Sequence, residues 1–266
     1  MTDRGQRPGA LLLGLAALAA AWTLLPLAAL VVRVPWADAP SVLTDPSALV
    51  ALRLSVGTAA VSAVLCLVLG APLALVLARC RFPGRGLLRA AVLVPLVLPP
   101  VVSGLALLMT VGRTGLLAPL LDPAGVRIVF TTTAVVLAQT FVSLPFMVLT
   151  LEAALASLDP RPEQAAAGLG ASRARVLRTI TLPRLAPALA TGTVLAFARS
   201  LGEFGATLTV AGSLEGTTRT LPLQIFLTRE TDPPQAILLS FLLIITAAAV
   251  VLAVHSRRPA RREERR

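Results

Sequence analysis

Apolar residues in this chain do not alternate, and they do not return to one helical face. They run in long unbroken blocks, separated by short connections that carry most of the charge. Six blocks reach the length of about 20 residues that a helix needs to cross a bilayer. They are Ala10–Val32, Leu54–Ala78, Ala90–Gly112, Ile128–Leu151, Leu185–Gly212 and Ala236–Val254. Only the fifth contains charged side chains, Arg199 and Glu203. In hydrocarbon a backbone has to satisfy its own hydrogen bonds, so blocks of this length predict helices rather than strands. The pattern therefore predicts an all-α integral membrane protein with six transmembrane helices.

Two features modify that outline. Ala37-Asp38-Ala39 after the first block loosely matches an A-x-A cleavage site, but the block is longer than the apolar core of about 7–15 residues in a signal peptide. It is predicted to be an uncleaved span. Prolines punctuate other blocks: Pro72 in the second, Pro145 in the fourth, and Pro95, Pro99 and Pro100 within six residues of the third. Each removes a backbone donor and kinks or opens its helix. The cluster predicts that the third span is bent or broken, facing protein or a cavity rather than lipid.

Composition agrees with the blocks. The 266 residues are 56% hydrophobic and 14% charged, too few polar groups to cover a soluble domain of this size. The net charge of +11 invites a nucleic-acid reading, which needs a basic face with stacking aromatics. Aromatics are only 4% and tyrosine is absent, so nucleic acid is excluded as a partner. The basic residues are all arginine and are distributed by side. With the N-terminus cytoplasmic, Arg4 and Arg7, the Arg79–Arg89 connection, the Arg161–Arg184 connection and the tail from Arg257 to Arg266 all fall inside. The outer connections hold far fewer. That is a positive-inside pattern, placing both termini in the cytoplasm. Cys66 and Cys80 fall on one predicted helix, roughly 20 Å apart along it, so they are read as unpaired apolar fillers. His255 has no ligand cluster near it in sequence.

The longest inner connection, from about Glu152 to Arg184, reads as two short helices. Asp159 can cap the first, with Pro160 at its first position and Pro162-Glu163-Gln164-Ala165-Ala166-Ala167 following. Gly168 and Gly170 end it. Ser172 can cap a second, basic helix from Arg173 to Arg178, before Leu182-Pro183 returns to the membrane. An amphipathic helix resting on headgroups is the plainer reading of such a segment.

In this loop the chain resembles the permease subunits of bacterial ABC importers of the type I architecture. Their signature is Glu-Ala-Ala, three residues, Gly, nine residues, then Ile-x-Leu-Pro. Gln164-Ala165-Ala166, Gly170, Ile180, Leu182 and Pro183 match that spacing, with Gln164 standing where glutamate is common and Glu163 just before it. The resemblance implies that this loop couples the spans to a cytoplasmic ATPase, and it leaves open whether Glu163 or Gln164 contacts it.

Further segments are similar to molybdate permeases: Pro95 to Leu108, Gly112-Arg113-Thr114-Gly115-Leu116-Leu117, Gln139 to Phe146, and Leu201-Gly202-Glu203-Phe204-Gly205-Ala206-Thr207-Leu208 followed by Gly212 and Gly216 to Leu223. Ala118 departs from the glycine usual after the second of these. Sulfate permeases share the Gly-Glu-Phe-Gly-Ala core and usually differ after it. The likeness runs from about residue 50 to the end. It divides the chain into residues 1–48 (tail, first helix and outer loop), a permease domain at 49–256 with the coupling loop at about 152–184, and a basic cytoplasmic tail at 257–266.

Physically, Glu203 is the conspicuous residue. An ionisable group deep in a span normally faces a partner or water. Arg199, four residues earlier, shares its helical face and can pair with it. Gly202 and Gly205 strip the neighbourhood of bulk and permit close helix contact. Either Glu203 lines the translocation path or its gate, or the pair locks the fifth helix to a neighbour. A carboxylate repels a dianion, so Thr207 and Ser103 are the candidates for meeting cargo through hydrogen bonds.

No nucleophile–base pair, metal-ligand cluster or phosphate-binding glycine loop is present in the sequence. The chain is predicted to be a transporter subunit and not an enzyme. It holds no cofactor of its own, ATP and magnesium belonging to the partner ATPase. The resemblance implies a homodimer with the path between two copies, two cytoplasmic ABC ATPase subunits, an extracytoplasmic molybdate-binding protein, membrane lipid around it, and an inner-membrane location. Other cargo (sulfate, thiosulfate or tungstate) is the alternative within the class. A stand-alone channel or passive carrier is the alternative outside it, and leaves the Gln164–Pro183 spacing without a purpose.

Overall fold

The computed structural model describes residues 9–255, the side chains of Leu43, Val254 and His255 excepted. Arg4, Arg7 and the tail arginines Arg257, Arg258, Arg261, Arg262, Arg265 and Arg266, on which the predicted orientation partly rests, lie outside the described residues. Those described form helices and turns, with no strand among them. In chain order the helices are α1 (Ala10–Val32), α2 (Ala39–Thr44), α3 (Pro46–Arg79), α4 (Arg85–Val97), α5 (Pro100–Val111), α6 (Ala118–Leu121) and α7 (Thr132–Ser157). There follow α8 (Arg161–Gly168), α9 (Arg173–Val176), α10 (Leu182–Leu201), α11 (Gly205–Ala211), α12 (Leu221–Thr231) and α13 (Pro233–His255).

The first, second, fourth and sixth apolar blocks are single helices, α1, α3, α7 and α13. Among the described residues five helical runs are long and apolar enough to cross a membrane, these four and Arg173–Leu201. The third block is broken, as its prolines predict. Leu98 and Pro99 are extended, at ψ 134° and 138°, and separate α4 from α5. Pro99 and Pro100 bring no N–H to continue the ladder.

The fifth block differs from the single span expected. It divides at Gly202–Phe204 into α10 and α11. Gly202 is a poor helix former, and the Glu203 side chain caps the next helix instead of extending the last one.

Two connections also differ from expectation. The inner loop is shorter, because α7 runs on to Ser157 with Leu155 and Glu152 buried. On the other side α9 passes through a π-turn at Leu177–Thr181 directly into α10, so the basic helix does not stop at Arg178. The connection after the fifth block contains α12, whose Leu221 and Leu223 are buried. Its first N–H, on Leu221, donates to Ser55 Oγ of α3 at 2.6 Å.

Helices α3, α7 and α10 form the centre of the bundle. Met147 of α7 fits between two glycines there. A Cβ on Gly70 of α3 would stand 2.9 Å from Met147 Cγ, and one on Gly192 of α10 would stand 2.7 Å from its sulfur. Absent side chains thus let three helices close around one flexible filler.

The exterior is apolar and much of the interior is not. Leu11, Leu12, Leu18, Trp22 and Leu25 of α1 are all exposed, and α1 has no buried residue. Ser55, Thr58, Ser62, Gln139, Thr140, Ser143, Ser200, Glu203 and Thr207 are buried. A water-soluble fold does the reverse, so this surface requires lipid or protein around it.

Candidate functional site

The loop between α7 and α10 is fixed by named contacts. Asp159 Oδ1 accepts from Arg161 N–H at 3.0 Å and starts α8. Gly170 then turns the chain at φ 83°, a conformation that a side chain makes costly. Ser172 Oγ accepts from Arg175 N–H at 3.3 Å and starts α9.

Glu163 holds the assembly together. Both of its oxygens lie 2.7 Å from the Arg79 guanidinium at the end of α3, and Thr181 Oγ1 donates to Oε1 at 2.7 Å from the π-turn. Arg184 Nη1 donates to the Asp159 carbonyl at 2.9 Å. The Arg79 guanidinium, then Thr181 and the Arg184 charge, hold the Glu163 carboxyl below its ordinary range, against the opposing effect of its partial burial. With Glu163 engaged inside the chain, the exposed residues of α8 are Arg161, Pro162, Gln164, Ala165 and Ala167, continuing into the turn at Gly168–Gly170, where Leu169 is 89% exposed. Ala166 is half-buried. Ile180 and Leu182, also half-buried, and exposed Pro183 lie on the helical run that carries the loop into α10.

The second constellation lies midway along the apolar run between Arg184 and Glu215. Arg199 Nη1 and Glu203 Oε2 form an ion pair at 2.7 Å. Glu203 is 1% exposed and Arg199 31%. The other carboxylate oxygen, Oε1, accepts from Ala206 N–H at 2.8 Å and so caps α11. A lone charge at this position costs roughly 2.5–3.5 kcal/mol on insertion scales. Here the carboxylate has two compensating partners.

Glycines bring α5 and α11 together above this pair. A Cβ on Gly205 would come within 2.6 Å of Pro100 Cβ, and one on Gly104 within 2.5 Å of Thr209 Cβ and 2.8 Å of the Ala206 carbonyl oxygen. The two helices that follow the two breaks are therefore in backbone-close contact. Ser103 and Thr207 lie on them, each fully buried with a hydroxyl that has no partner, as does Gln139 Oε1 on α7. Gly202 is exposed at the break itself.

Two further clusters are not among the residues singled out from sequence. Ser200 Oγ lies 2.9 Å from Ser62 Oγ and 2.8 Å from Ser143 Oγ, and Thr140 Oγ1 donates to Ser62 Oγ at 3.2 Å. This hydroxyl set joins α3, α7 and α10 one residue from Arg199. Its sequence signal is hydroxyls on otherwise apolar spans, with Thr140 and Ser143 one turn apart. The other is a cleft of about 340 Å³ at the C-terminal ends of α3 and α7 and the start of α4, lined by Arg79, Arg85, Arg89 and Glu152. Arg89 Nε is 3.2 Å from Glu152 Oε2 but misaligned for a hydrogen bond, so this is an ion pair only.

A bundle with broken spans, a braced inner loop and a compensated charge pair within the membrane fits a transport subunit, and comparison with known proteins specifies which kind. Residues 67–261 match the family described as binding-protein-dependent transport system inner membrane component. The chain belongs to that family, and it is a multi-pass protein of the inner membrane. It is 54% identical over 235 residues to the molybdenum transport system permease protein ModB of Mycobacterium tuberculosis, covering 88% of this chain and 89% of that one. It is 44% identical over 191 residues to ModB of Escherichia coli, covering 71% and 83%. The sulfate transport system permease protein CysT of Salmonella typhimurium is 38% identical over 217 residues, covering 80% and 78%. Among solved structures, a bacterial ABC transporter that imports the acidic polysaccharide alginate matches with a TM-score of 0.73 at 17% identity, covering 92% and 94%. The inward-facing MetNI methionine ABC transporter matches at 0.61 and 17%, covering 77% and 92%. These last two show a shared fold.

Proposed function

We propose that this chain is the permease subunit of an ATP-driven molybdate importer. Two copies enclose the path, two cytoplasmic ATPase subunits drive it, and an extracytoplasmic binding protein delivers the anion. The observation that carries the cargo is the 54% identity to a molybdenum permease across 88% of the chain, against 38% for a sulfate permease. Sulfate is the second reading, favoured only by that weaker likeness; thiosulfate and tungstate are further cargoes the path can share. Six crossings with both termini inside follow from the apolar blocks and the arginine distribution. On this reading residues 1–48 precede a permease domain at 49–256, and the basic tail follows.

Coupling is assigned to the loop carrying Glu163, Gln164, Ala165, Ala166, Gly170, Ile180, Leu182 and Pro183. What supports it is the mechanical arrangement. A short capped helix with an open face, α8, is braced against α3 by Arg79, and the turn at Gly170 links it to α9, which runs without interruption into α10. A push on that face reaches both helices. Gln164 and Leu169 are free to meet the ATPase, whereas Glu163 is already engaged. The path and gate are assigned to the α10–α11 break and its partner α5, through Arg199, Gly202, Glu203, Gly205, Thr207 and Ser103. Both spans that break are joined there by their glycines.

Metal content tests the cargo. Cells lacking this chain, grown in limiting molybdate and separately in limiting sulfate, are expected to lose molybdenum alone; a loss of sulfur uptake instead replaces molybdate by sulfate. Gly170→Val tests the coupling. The left-handed turn should distort while the spans remain assembled, uptake falling at least tenfold with ATP hydrolysis retained. Unchanged uptake removes the coupling role.

A further inference from the structure

We propose that Arg199 contacts the translocated oxyanion directly in the middle of the membrane, with Glu203 serving to hold it rather than to meet the cargo. This rests on the reading of the chain as an oxyanion permease. On α10, Val194, Ala196, Phe197, Ser200 and Leu201 are buried against the rest of the chain, while Leu195, Arg199 and Gly202 share the outward face at helical spacing. The guanidinium is thus anchored at one nitrogen by Glu203 and presents the rest of its fork outward. Among the described residues it has no other hydrogen bond or ion pair.

Lipid does not suit that face. Roughly 22 Å of helix separates Arg199 from Arg184, at 1.5 Å per residue, and Glu215 is as far the other way. A side chain cannot snorkel that distance to either headgroup layer. The outward edge therefore meets water, or a second copy across a water-filled path.

The chemistry of the edge selects its ligand. A guanidinium presents parallel N–H groups that fit two oxygens of a tetrahedral oxyanion. Glu203 does not oppose this, because one of its oxygens faces Arg199 and the other is bound by the Ala206 N–H. With two copies around the path, two such edges serve one dianion. Partial neutralisation by Glu203 keeps the attraction weak enough for release, which transport requires of an intermediate site. The alternative is a lock, in which the pair only joins helices and its charge has no use.

The test uses the complete complex, with its ATPase and binding protein, in liposomes, reading molybdenum uptake by mass spectrometry alongside ATP hydrolysis. Arg199→Gln and the double variant Arg199→Gln/Glu203→Gln are compared with wild type. The double variant keeps a matched polar pair. It is expected to hydrolyse ATP within twofold of wild type and to lose at least tenfold in uptake. Recovery of uptake to within twofold in the double variant overturns the proposal in favour of the lock. If substitution impairs assembly, Arg199→Cys in a Cys66→Ala/Cys80→Ser background decides. A cationic methanethiosulfonate from the aqueous phase should label it and restore uptake at least fivefold, while the sulfonate analogue should not. No labelling, or equal rescue by both reagents, overturns it. A wild-type complex that hydrolyses ATP but moves neither molybdate nor sulfate defeats the permease reading instead. Wild-type uptake with an unaffected double variant defeats only the role of Arg199.

Discussion

The same pair of side chains is used twice, with different consequences. Arg79 and Glu163 join two segments distant in sequence, through two short contacts, at the end of α3. Arg199 and Glu203 lie one turn apart on one stretch of chain, make a single close contact, and sit in the middle of an apolar run. The Arg79–Glu163 pair is partly solvated, with Arg79 39% exposed, so it contributes little to stability and acts by positioning. In the Arg199–Glu203 pair the carboxylate is only 1% exposed, so each member is costly without the other. Position, rather than residue type, decides whether an ion pair is a hinge pin or a condition for the fold.

Removing Glu203 should break this comparison most severely. Glu203→Leu takes away the partner of Arg199 and the cap of α11 together. The loss is expected to be about 3 kcal/mol or more, since breaking a buried pair costs about 3–5 kcal/mol and Arg199 keeps some exposure. Thermal unfolding in detergent measures it, and a loss below 1 kcal/mol would mean the pair is dispensable.

Next is the glycine contact above it. Gly205→Val drives new atoms into Pro100, and overpacking of this kind costs about 1–3 kcal/mol. Because α5 and α11 are expected to separate, a cysteine pair across that contact should crosslink in the parent and not in the variant.

Glu163→Gln sharpens the other side, with a stability change within about 1 kcal/mol and a clear fall in uptake per ATP hydrolysed. Its pH dependence has a definite sign. The Glu163 carboxyl is held below its ordinary range, so the tether is fully present above the unfolded value, and it is lost only as pH falls through the depressed folded one. Hydrogen exchange of residues 161–168 should distinguish wild type from the variant at neutral pH and lose that distinction only below the ordinary glutamate range. A distinction that disappears between pH 5 and 7 counts against the tether.

The smallest effect expected is from Ser200→Ala. Interhelical hydroxyl contacts in membrane proteins average about 0.6 kcal/mol, since an unfolded helix in lipid finds other partners. Ser200 touches both Ser62 and Ser143, so a change of roughly that size or twice it should appear. A change near 3 kcal/mol would put the hydroxyl set on a par with Glu203.

Much of the site is legible in the residues themselves. Spacing alone pairs Arg199 with Glu203, and the cluster of Pro95, Pro99 and Pro100 foretells the break in the third span. Asp159, Gly170 and Ser172 mark the turns of the inner loop before any coordinates. All of these are local features, settled within a few residues along the chain. The second break, at Gly202–Phe204, is harder to read, because it depends on Glu203 turning its carboxylate to Ala206 instead of to solvent or a neighbour. The partnership of Glu163 with Arg79 spans the whole length between α3 and α8 and leaves no trace in either segment.

Sequence by itself determined that this chain belongs in a membrane, that its apolar blocks are helical and that the third of them breaks. Those outcomes follow from hydrocarbon excluding unpaired backbone groups and from proline lacking an N–H. Tertiary structure alone decided which charges face inward. Glu203 is sealed while Arg199 shows an edge, Glu163 is committed to the chain while Gln164 is not, and Ser200 meets two hydroxyls from other helices. The physical reason is that a helix specifies where each side chain points around its own axis, but only the packing of several helices fixes what stands opposite.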